Sequence, residues 1–354
     1  MRIGVTCGGT GGHIFPGLAT AETLQQRGHE VVLWLSGREV ETSSIQGWSG
    51  PVFRNSMDHH YPFKSVWQIL AASFRCRSQM RAFKPDVLLA MGSYTSVAPV
   101  LAARWCRIPV VLHEANAVPG AAIAFLSRFA RVVAITFPTA RDFLPNRRTE
   151  LTGFPLRQDL LSSDGAPFFP PDMFTVLVMG GSQGAQRLNE LASDAIIALR
   201  QAGVTVRVLH LTGLRDEVKI REKYASANVP HLVFGFLGNM GRAYRSADMA
   251  ISRAGAASCT ELALCRVPTL LVPYPHARRD HQAANAREMV VTGGMAMALE
   301  PDLTTDKLAV HIRQYRESPE KLAAMRTALQ KTAVTDAAAR LATLVEQTAR
   351  EREE

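Results

Sequence analysis

The chain has 354 residues, enough for two domains, and its 47% hydrophobic and 20% charged content is that of an ordinary globular protein. Lys and Arg (40) outnumber Asp and Glu (31), so the net charge is +9, which indicates an anionic partner such as a nucleotide, a nucleic acid or an acidic membrane surface. Because no basic run with interleaved aromatic residues is present, we expect no nucleic-acid partner.

The cysteines and the apolar runs indicate the cellular compartment of the protein. The chain has five scattered cysteines, an odd number without a C-x-x-C pair, which predicts a reduced cytoplasmic compartment and no zinc site. No signal-peptide pattern precedes the first strand-like residues, and no apolar run is long enough to span a bilayer. We therefore predict a cytoplasmic protein and leave open its binding to a membrane surface.

The chain opens with a strand, a glycine-rich loop and a helix. Residues 2–7 predict the strand, Gly8-Gly9-Thr10-Gly11-Gly12-His13 the loop, and Ile14 the start of the helix. A dinucleotide-binding fingerprint is excluded because Ile14 stands where the third glycine is needed. The glycines instead let the backbone approach a ligand closely, with Thr10 and His13 as the side-chain chemistry of the loop.

Further short strands are predicted at residues 30–35, 86–91, 108–112, 131–135 and 150–152. In a doubly wound sheet the carboxyl ends of the strands line the ligand crevice. His113, Glu114 and Asn116 follow the strand at 108–112 and are therefore candidates by position. Polar residues after a strand are also common in ordinary loops, so a purely structural role stays open for each.

Residues 59–85 contain no Asp or Glu, and they combine apolar residues at helical spacing with clustered Lys and Arg. One interpretation is an amphipathic helix whose apolar stripe packs into the core. The other is a basic apolar surface for anionic lipid. The residues concerned are Phe63, Lys64, Val66, Trp67, Leu70, Phe74, Arg75, Arg77, Arg81 and Lys84.

The opening architecture recurs after a linker-like stretch at 162–171. Residues 174–179 predict a strand, 180–185 a second glycine-rich loop, and 186 to about 200 a helix. Ser182, near the start of that helix, is a candidate phosphate ligand or an ordinary cap. Two such units predict an α/β protein with two Rossmann-like halves that face a cleft.

The stretch from Ser252 to Ala286 combines a small-residue turn, a helix, a short strand and a loop rich in His and Asn. Ser258 is predicted to cap the helix, whose exposed N–H groups and dipole attract a phosphate. Glu261, one turn further along, is suited to accept hydrogen bonds from ribose hydroxyls. A capping box is the plain alternative for these two residues. The stretch as a whole predicts a nucleotide diphosphate site.

We predict two domains. The first contains residues 1–157 together with 336–354, an Ala-, Leu- and Arg-rich segment that is expected to form a terminal helix and cross back. The second contains residues 158–335.

At this point the residues resemble the MurG family of glycosyltransferases, over essentially the full length. The combination of motifs is specific, whereas any one alone is weak. The motifs are GGTGGH at 8–13, HEAN at 113–116, GFPLR at 153–157, GGSQGA at 180–185, SRAGAASCTEL at 252–262 and PYPHARRDHQAANA at 273–286. The resemblance implies a GT-B fold.

The resemblance also implies roles for individual residues. On the sugar and acceptor side it implies Thr10, Gly11, Gly12 and Asn116. For the diphosphate it implies Arg157 and Ser182, and for uracil the backbone of Leu237. For phosphate and ribose it implies Ala256, Ala257, Ser258, Cys259, Thr260 and Glu261, and for the GlcNAc hydroxyls Gln282.

The implied reaction is an inverting transfer, in which the muramyl 4-hydroxyl of the acceptor attacks the anomeric carbon of UDP-GlcNAc. A histidine is the natural general base near neutral pH, and His13 is our candidate. Helix-start N–H groups would stabilise the leaving diphosphate, so we expect neither a cofactor nor a metal ion. Three motifs depart from the family pattern: Ala115 replaces a glutamine, Phe154 replaces an asparagine, and Ala257-Ser258 replaces a leucine–threonine pair.

The implied function is addition of GlcNAc to undecaprenyl-pyrophosphoryl-muramyl-pentapeptide (lipid I to lipid II) in peptidoglycan synthesis. It would be carried out by a peripheral enzyme on the anionic cytoplasmic face of the bacterial inner membrane. The alternatives are another GT-B transferase with a UDP-sugar donor, a UDP-GlcNAc 2-epimerase, and a non-enzymatic lipid- or nucleotide-binding protein.

Overall fold

The structure is a computed structural model that describes residues 1–9, 11–37, 41, 44–45, 47–55, 66–157, 160, 166–181 and 184–351. The chain divides into two compact units. The first unit is Met1–Arg157 with Asp336–Glu354, and the second is Gln158–Thr335.

The described strands of the first unit form one parallel sheet of seven strands, in the order β3-β2-β1-β4-β5-β6-β7. The strands are β1 (Arg2–Thr6), β2 (Glu30–Leu35), β3 (Val52–Arg54), β4 (Val87–Ala90), β5 (Val110–Glu114), β6 (Val132–Ile135) and β7 (Thr149–Leu151). The central strands are near-continuous apolar runs, as expected for a parallel sheet that is covered on both faces.

Helices cover both faces of this sheet. They are α1 (Gly11–Gln26), α2 (Val66–Phe83), α3 (Val97–Trp105), α4 (Ala121–Leu126) and, from the end of the chain, α12 (Ala337–Arg350). One core joins α1 and α12 to one face, and a second joins α2 and α3 to the other. The two cores hold the sheet rigid and so fix the loops at its edge.

The final helix of the chain belongs to the first unit. Leu341 and Val345 of α12 lie in the same buried cluster as Ile3 of β1. Its Glu346 also binds Arg27 at 3.1 Å and His29 at 2.9 Å, just after α1.

The second unit repeats the plan with a parallel sheet of six described strands, in the order β10-β9-β8-β11-β12-β13. The strands are β8 (Thr175–Met179), β9 (Arg207–Leu211), β10 (His231–Phe234), β11 (Met249–Ser252), β12 (Thr269–Leu271) and β13 (Met295–Met297). The helices are α5 (Gln186–Gln201), α6 (Glu217–Ser226), α7 (Met240–Arg245), α8 (Ala256–Leu264), α9 (His281–Val291), α10 (Thr305–Arg316) and α11 (Pro319–Thr332). The predicted α/β class with two Rossmann-like domains is confirmed.

Helix α1 begins at Gly11, three residues before the predicted start at Ile14. His13 therefore lies in the first helical turn and not in the loop. The helix packs closely on β1 because Gly17 has no side chain: a Cβ there would lie 2.3 Å from the Cβ of Cys7. This close approach holds the start of α1 at the carboxyl end of β1.

Candidate functional site

The first glycine-rich loop leads from β1 directly into α1. Gly9 has a φ of +118°, a region that favours glycine, and a Cβ there would lie 2.9 Å from Ser93 Oγ. Thr10 lies outside the described residues. Gly11, Gly12 and His13 form the first turn of α1, where backbone N–H groups have no intrahelical acceptor and the dipole favours an anion. The loop thus brings these three predicted site residues together.

His13 is half-buried, and its ring lies beside Gly92 in the loop after β4. Burial lowers the pKa of His13 from 6.5 to about 4. The imidazole is therefore neutral at pH 7 and has a ring nitrogen able to accept a proton.

His113 is the next-to-last residue of β5 and is fully buried. Its Nε2 donates to the carbonyl of Gly153 at 3.1 Å, whereas Nδ1 is buried without a partner among the described residues. Burial, and to a smaller extent the nearby His13, lower the pKa of His113 from 6.5 to about 4, while the hydrogen bond to Gly153 opposes the shift. The Phe154 ring, 6.1 Å away centre to centre, is part of the apolar surroundings, so this departure from the family pattern contributes to the burial of His113.

Glu114 is committed to the shape of the loop that follows β5. It accepts hydrogen bonds from the backbone N of Asn116 at 2.8 Å, from Asn116 Nδ2 at 3.1 Å and from the Gly120 backbone N at 2.9 Å. Burial raises the pKa of Glu114, and these hydrogen bonds oppose the rise. Glu114 thus orients the side chain of Asn116, the predicted acceptor-side residue.

Arg157, predicted as a diphosphate contact, lies in the first unit. Its guanidinium carbon is 4.6 Å from the centre of the Phe15 ring, in the second turn of α1. The cation is therefore held close to the start of α1, where it adds to the positive potential of the helix dipole.

In the second unit, the loop between β8 and α5 is described only in part. Ser182 lies outside the described residues, so its predicted phosphate role stays a prediction. Helix α5 begins at Gln186, and its N-cap Ala185 has no side-chain hydrogen bond.

Helix α8 has an open N-terminus at the carboxyl end of β11. Its N-cap is Gly255, so the prediction that Ser258 caps the helix is wrong: Ser258 is the third residue of the first turn. Gly255 has φ −65° and ψ 143°, the non-helical backbone of a cap residue, and because glycine has no side chain it leaves the helix mouth uncovered. The Oγ of Ser258 lies 4.0 Å from where a Gly255 Cβ would be, hence near this mouth.

The first intrahelical bond of α8 runs from the backbone N of Cys259 to the carbonyl of Gly255 at 2.9 Å. The amides of Ala256, Ala257 and Ser258 come before it and suit an anion. Cys259 is buried, and burial raises the pKa of its thiol to about 12. Thr260 Oγ1 donates to the carbonyl of Ala256 at 2.8 Å. The polar groups of Cys259 and Thr260 are thus engaged or buried within the helix.

Glu261 is half-buried in the second turn of α8 and accepts a hydrogen bond of 2.6 Å from the hydroxyl of Tyr244 on α7. The bond fixes the direction of the carboxylate. Because the tyrosine lies 17 residues earlier on another helix, the sequence alone did not point to this pair.

Two buried side chains hold the small-residue turn before α8. Arg253 donates to the carbonyls of Val272 and Pro273, each at 3.2 Å, and forms an ion pair with Glu300. Asn285 Nδ2 donates to the carbonyl of Ala254 at 3.1 Å. Neither role was predicted, although both residues lie within motifs that the sequence analysis singled out.

Gln282 and Leu237 occupy loops of the same unit. The Oε1 of Gln282 accepts from the backbone N of Tyr274 at 2.9 Å, which fixes the orientation of the side-chain amide, and its predicted contact with the GlcNAc hydroxyls stays a prediction. Leu237 is half-buried in the turn between β10 and α7. Within the described residues, no cluster of His, Cys, Asp and Glu is arranged to hold a metal ion.

Comparison with known proteins identifies the family. Residues 3–135 match the glycosyltransferase family 28 N-terminal domain, and residues 175–341 match the C-terminal domain of that family. The chain is 35% identical over 339 residues to the UDP-N-acetylglucosamine--N-acetylmuramyl-(pentapeptide) pyrophosphoryl-undecaprenol N-acetylglucosamine transferase of Myxococcus xanthus, covering 92% of this chain and 87% of that one. A protein of the same name from Citrifermentans bemidjiense is 34% identical, covering 96% and 97%.

The chain belongs to the MurG family. The crystal structure of Acinetobacter baumannii MurG superposes on it with a TM-score of 0.80 and 30% identity, covering 98% of this chain and all of that one. A putative UDP-N-acetylglucosamine 2-epimerase from Listeria monocytogenes superposes with a TM-score of 0.78 at 13% identity, a likeness of fold alone. The epimerase alternative is therefore not favoured, and the MurG family assignment agrees with the motifs.

Proposed function

We propose that this protein transfers N-acetylglucosamine from UDP-N-acetylglucosamine to the N-acetylmuramyl-(pentapeptide) pyrophosphoryl-undecaprenol acceptor of peptidoglycan synthesis. The observation that carries the proposal is full-length similarity, at 34–35% identity, to transferases of that name. Such similarity spans both units and so includes both candidate sites.

The donor diphosphate binds at the N-terminus of α8. The amides of Ala256, Ala257 and Ser258, the Ser258 hydroxyl and the helix dipole are all directed at the same mouth. Glu261, held by Tyr244, accepts hydrogen bonds from the ribose. As the glycosidic bond breaks, these preorganised donors stabilise the charge that develops on the departing UDP.

The acceptor hydroxyl attacks the anomeric carbon of GlcNAc from the face opposite UDP, so the configuration inverts. His13 accepts the proton of that hydroxyl, since its ring is neutral at pH 7 and lies at the start of α1. The pyrophosphate of the acceptor, bound near the first turn of α1, raises the pKa of His13 from its low value in the free protein. This makes the histidine a stronger base once substrate is bound.

The test is incubation of the purified protein with UDP-N-acetylglucosamine, with and without the lipid-linked acceptor. We expect UDP and a glycosylated lipid only when the acceptor is present. A new sugar nucleotide formed without the acceptor would instead indicate an epimerase, and binding without turnover would indicate a protein that is not an enzyme.

We propose further that the protein binds the anionic surface of the cytoplasmic membrane through α2 and α3, a surface that we call the aromatic–basic face. It consists of Trp67, Phe74, Arg75, Arg81 and Trp105. Trp67 is 77% exposed and Phe74 58% exposed, and the Phe74 ring lies 5.3 Å from that of Trp105, centre to centre. The described part of the 59–85 stretch thus turns these aromatic residues to solvent.

The side of α2 that packs into the core consists of Ala72, Cys76 and Met80. The helix contains no acidic residue, so its outer side combines insertion of aromatic side chains with attraction to anionic lipid. Phe63 and Lys64 lie outside the described residues. No described helix is long and apolar enough to cross a membrane.

Co-sedimentation with phosphatidylglycerol-containing vesicles tests the aromatic–basic face. Trp67→Ser/Phe74→Ser should weaken binding, and Arg75→Ser/Arg81→Ser should weaken it by about 2 kcal/mol, at about 1 kcal/mol per basic residue. Arg77 is left unchanged because its Nε is buried. Matched controls in the second unit are Val291→Ser, where the valine is 88% exposed, and Arg215→Ser/Arg313→Ser. Equal loss in the controls, or binding like wild type in both folded test variants, would place the membrane contact elsewhere.

A further inference from the structure

One peptide group of the first glycine-rich loop is held from both sides by side chains that lie outside the loop. Thr95 Oγ1 donates to the carbonyl of Gly8 at 2.9 Å. The backbone N of Gly9 donates to Glu41 Oε1 at 2.8 Å. Since the Gly8 carbonyl and the Gly9 N–H belong to the same peptide bond, the two contacts together fix the orientation of that peptide plane.

Glu41 is itself firmly held. It is 1% exposed, accepts from the Gly37 backbone N at 2.7 Å, and accepts from the hydroxyl of Ser36. Ser36 and Gly37 follow β2 directly, so the carboxylate ties the glycine loop to the end of a neighbouring strand. Thr95 is also buried and lies just after β4 on the other side of β1. The loop is thus connected to both strands that flank β1.

We propose that Glu41 and Thr95 are positioning residues for the transfer reaction, acting through the Gly8–Gly9 peptide. A loop of four glycines has many accessible backbone conformations, and the geometry of the first turn of α1 depends on which one is adopted. The two contacts select one conformation, which directs the Gly11 and Gly12 amides and His13 toward the acceptor. Holding the reacting groups in their productive geometry before the reaction supplies a large part of the rate enhancement of enzymes. The inference rests on the proposed function.

Two variants alter these contacts, and a third serves as the control. Thr95→Val keeps the side-chain shape and removes the donor to the Gly8 carbonyl. Glu41→Gln keeps the size of the side chain but has a single acceptor oxygen, so it cannot serve both the Gly9 and the Gly37 backbone N–H groups, which bind different oxygens of Glu41. Thr348→Val is the matched control, because Thr348 is also buried in the same unit and donates within its own helix, to the carbonyl of Leu344 at 2.8 Å.

Kinetics give the first test. We expect Thr95→Val and Glu41→Gln each to lower kcat/KM for the lipid-linked acceptor by about tenfold, the effect of leaving one buried polar group without its partner. The Kd for UDP should change much less than kcat/KM, since the proposed UDP ligands on α8 lie in the second unit and Arg157 is the only predicted diphosphate contact in the first. Thr348→Val should leave both quantities unchanged. Acceptor kinetics in Thr95→Val that match those of Thr348→Val would overturn the proposal.

The double variant gives a second test. Because both residues act on one peptide group, the second substitution should cost much less in the presence of the first than alone. Fully additive losses in kcat/KM would show that the two residues act separately and would contradict the proposal.

A third test does not depend on activity. With glycine-selective ¹⁵N labelling, hydrogen exchange of the Gly9 amide should be about tenfold faster in Thr95→Val than in wild type, and unchanged in Thr348→Val. Unchanged exchange in Thr95→Val would show that Thr95 does not hold the Gly8–Gly9 peptide in place. If wild type makes no lipid product, the proposed function fails, yet this measurement still decides whether Thr95 holds the Gly8–Gly9 peptide in place.

Discussion

The hydroxyl of Tyr244 donates a 2.6 Å hydrogen bond to Oε2 of Glu261. Tyr244 is buried on α7, whereas Glu261 lies one turn beyond the open N-terminus of α8. The bond therefore sets the direction of a carboxylate relative to the proposed phosphate site. A diphosphate at the helix mouth and a ribose at the carboxylate would lie about one helical turn apart. This fits a nucleotide, in which the diphosphate and the ribose are adjacent groups.

We predict that Tyr244→Phe weakens UDP binding by about 1 kcal/mol and that Glu261→Ala weakens it by about 1–3 kcal/mol, through loss of charge-assisted hydrogen bonds. Isothermal titration calorimetry measures both. The matched control is Tyr224→Phe, since Tyr224 is a buried tyrosine of the same unit whose hydroxyl instead contacts His210 at 3.0 Å. Unchanged UDP affinity in folded Glu261→Ala would remove Glu261 from the site.

We predict that His13→Ala lowers kcat by about 10²–10⁴ with little change in UDP affinity, as expected for loss of a general base. Because the pKa of His13 in the free protein is about 4, the base form persists on acidification, so kcat/KM should fall only below about pH 5. An acid limb near pH 6.5 in kcat/KM, which reports the free protein, or turnover of His13→Ala within a few-fold of wild type, would point to another base.

Buried histidines should make the protein sensitive to acid. His210 lies between Tyr224 and Asn189 in the second unit, and burial lowers its pKa to about 3. The unfolded chain takes up a proton near pH 6.5, whereas the folded chain does not, so the free energy of unfolding falls as pH decreases from about 6.5 to about 3. Above that window the group is neutral in both states and has no effect.

Urea unfolding at pH 7, 6 and 5 measures this dependence. His210→Gln should reduce the slope of unfolding free energy against pH by up to about 1.4 kcal/mol per pH unit. His276→Gln, which removes an exposed imidazole, serves as the control. A slope that His210→Gln leaves unchanged would show that His210 does not supply this proton uptake.

Ser93 adopts φ 65° and ψ 160°, a conformation that is nearly exclusive to glycine. We predict that Ser93→Gly stabilises the protein by about 1 kcal/mol, the strain released less the extra entropy of the unfolded chain. Thermal unfolding measures the change. Ser78→Gly, at an exposed position in the interior of helix α2, should destabilise by about 0.5–1 kcal/mol. A lower melting temperature in Ser93→Gly would mean that the serine makes contacts worth more than its strain.

The order of strands and helices could be predicted because it depends on local patterns. The apolar runs predict buried parallel strands, and the recurrence of strand, glycine loop and helix predicts two Rossmann-like units. The first residues of the helices were harder to predict. Gly11 begins α1 and Gly255 caps α8, but glycine is also common in loops and does not mark a helix start by itself, so the predicted helix start at Ile14 and the predicted cap at Ser258 came three residues late.

The contacts that hold the site could not be predicted in the same way, because their partners are far apart in sequence. Glu41 and Gly9 are separated by 32 residues, and Asn285 and Ala254 by 31. The low pKa of His13 likewise comes from burial, which depends on the folded chain. Motif spacing therefore indicates where the chemistry occurs, whereas the residues that hold the site in place can be identified only from the structure.

The most direct test of the central claim is mass spectrometry of the lipid-linked acceptor after incubation with UDP-N-acetylglucosamine, with NMR of the new glycosidic bond. The account predicts an acceptor heavier by one N-acetylglucosamine residue, attached to the muramyl 4-hydroxyl with the anomeric configuration opposite to that of the donor. An unmodified acceptor in the presence of folded, UDP-binding protein, or a product with retained configuration, would contradict it.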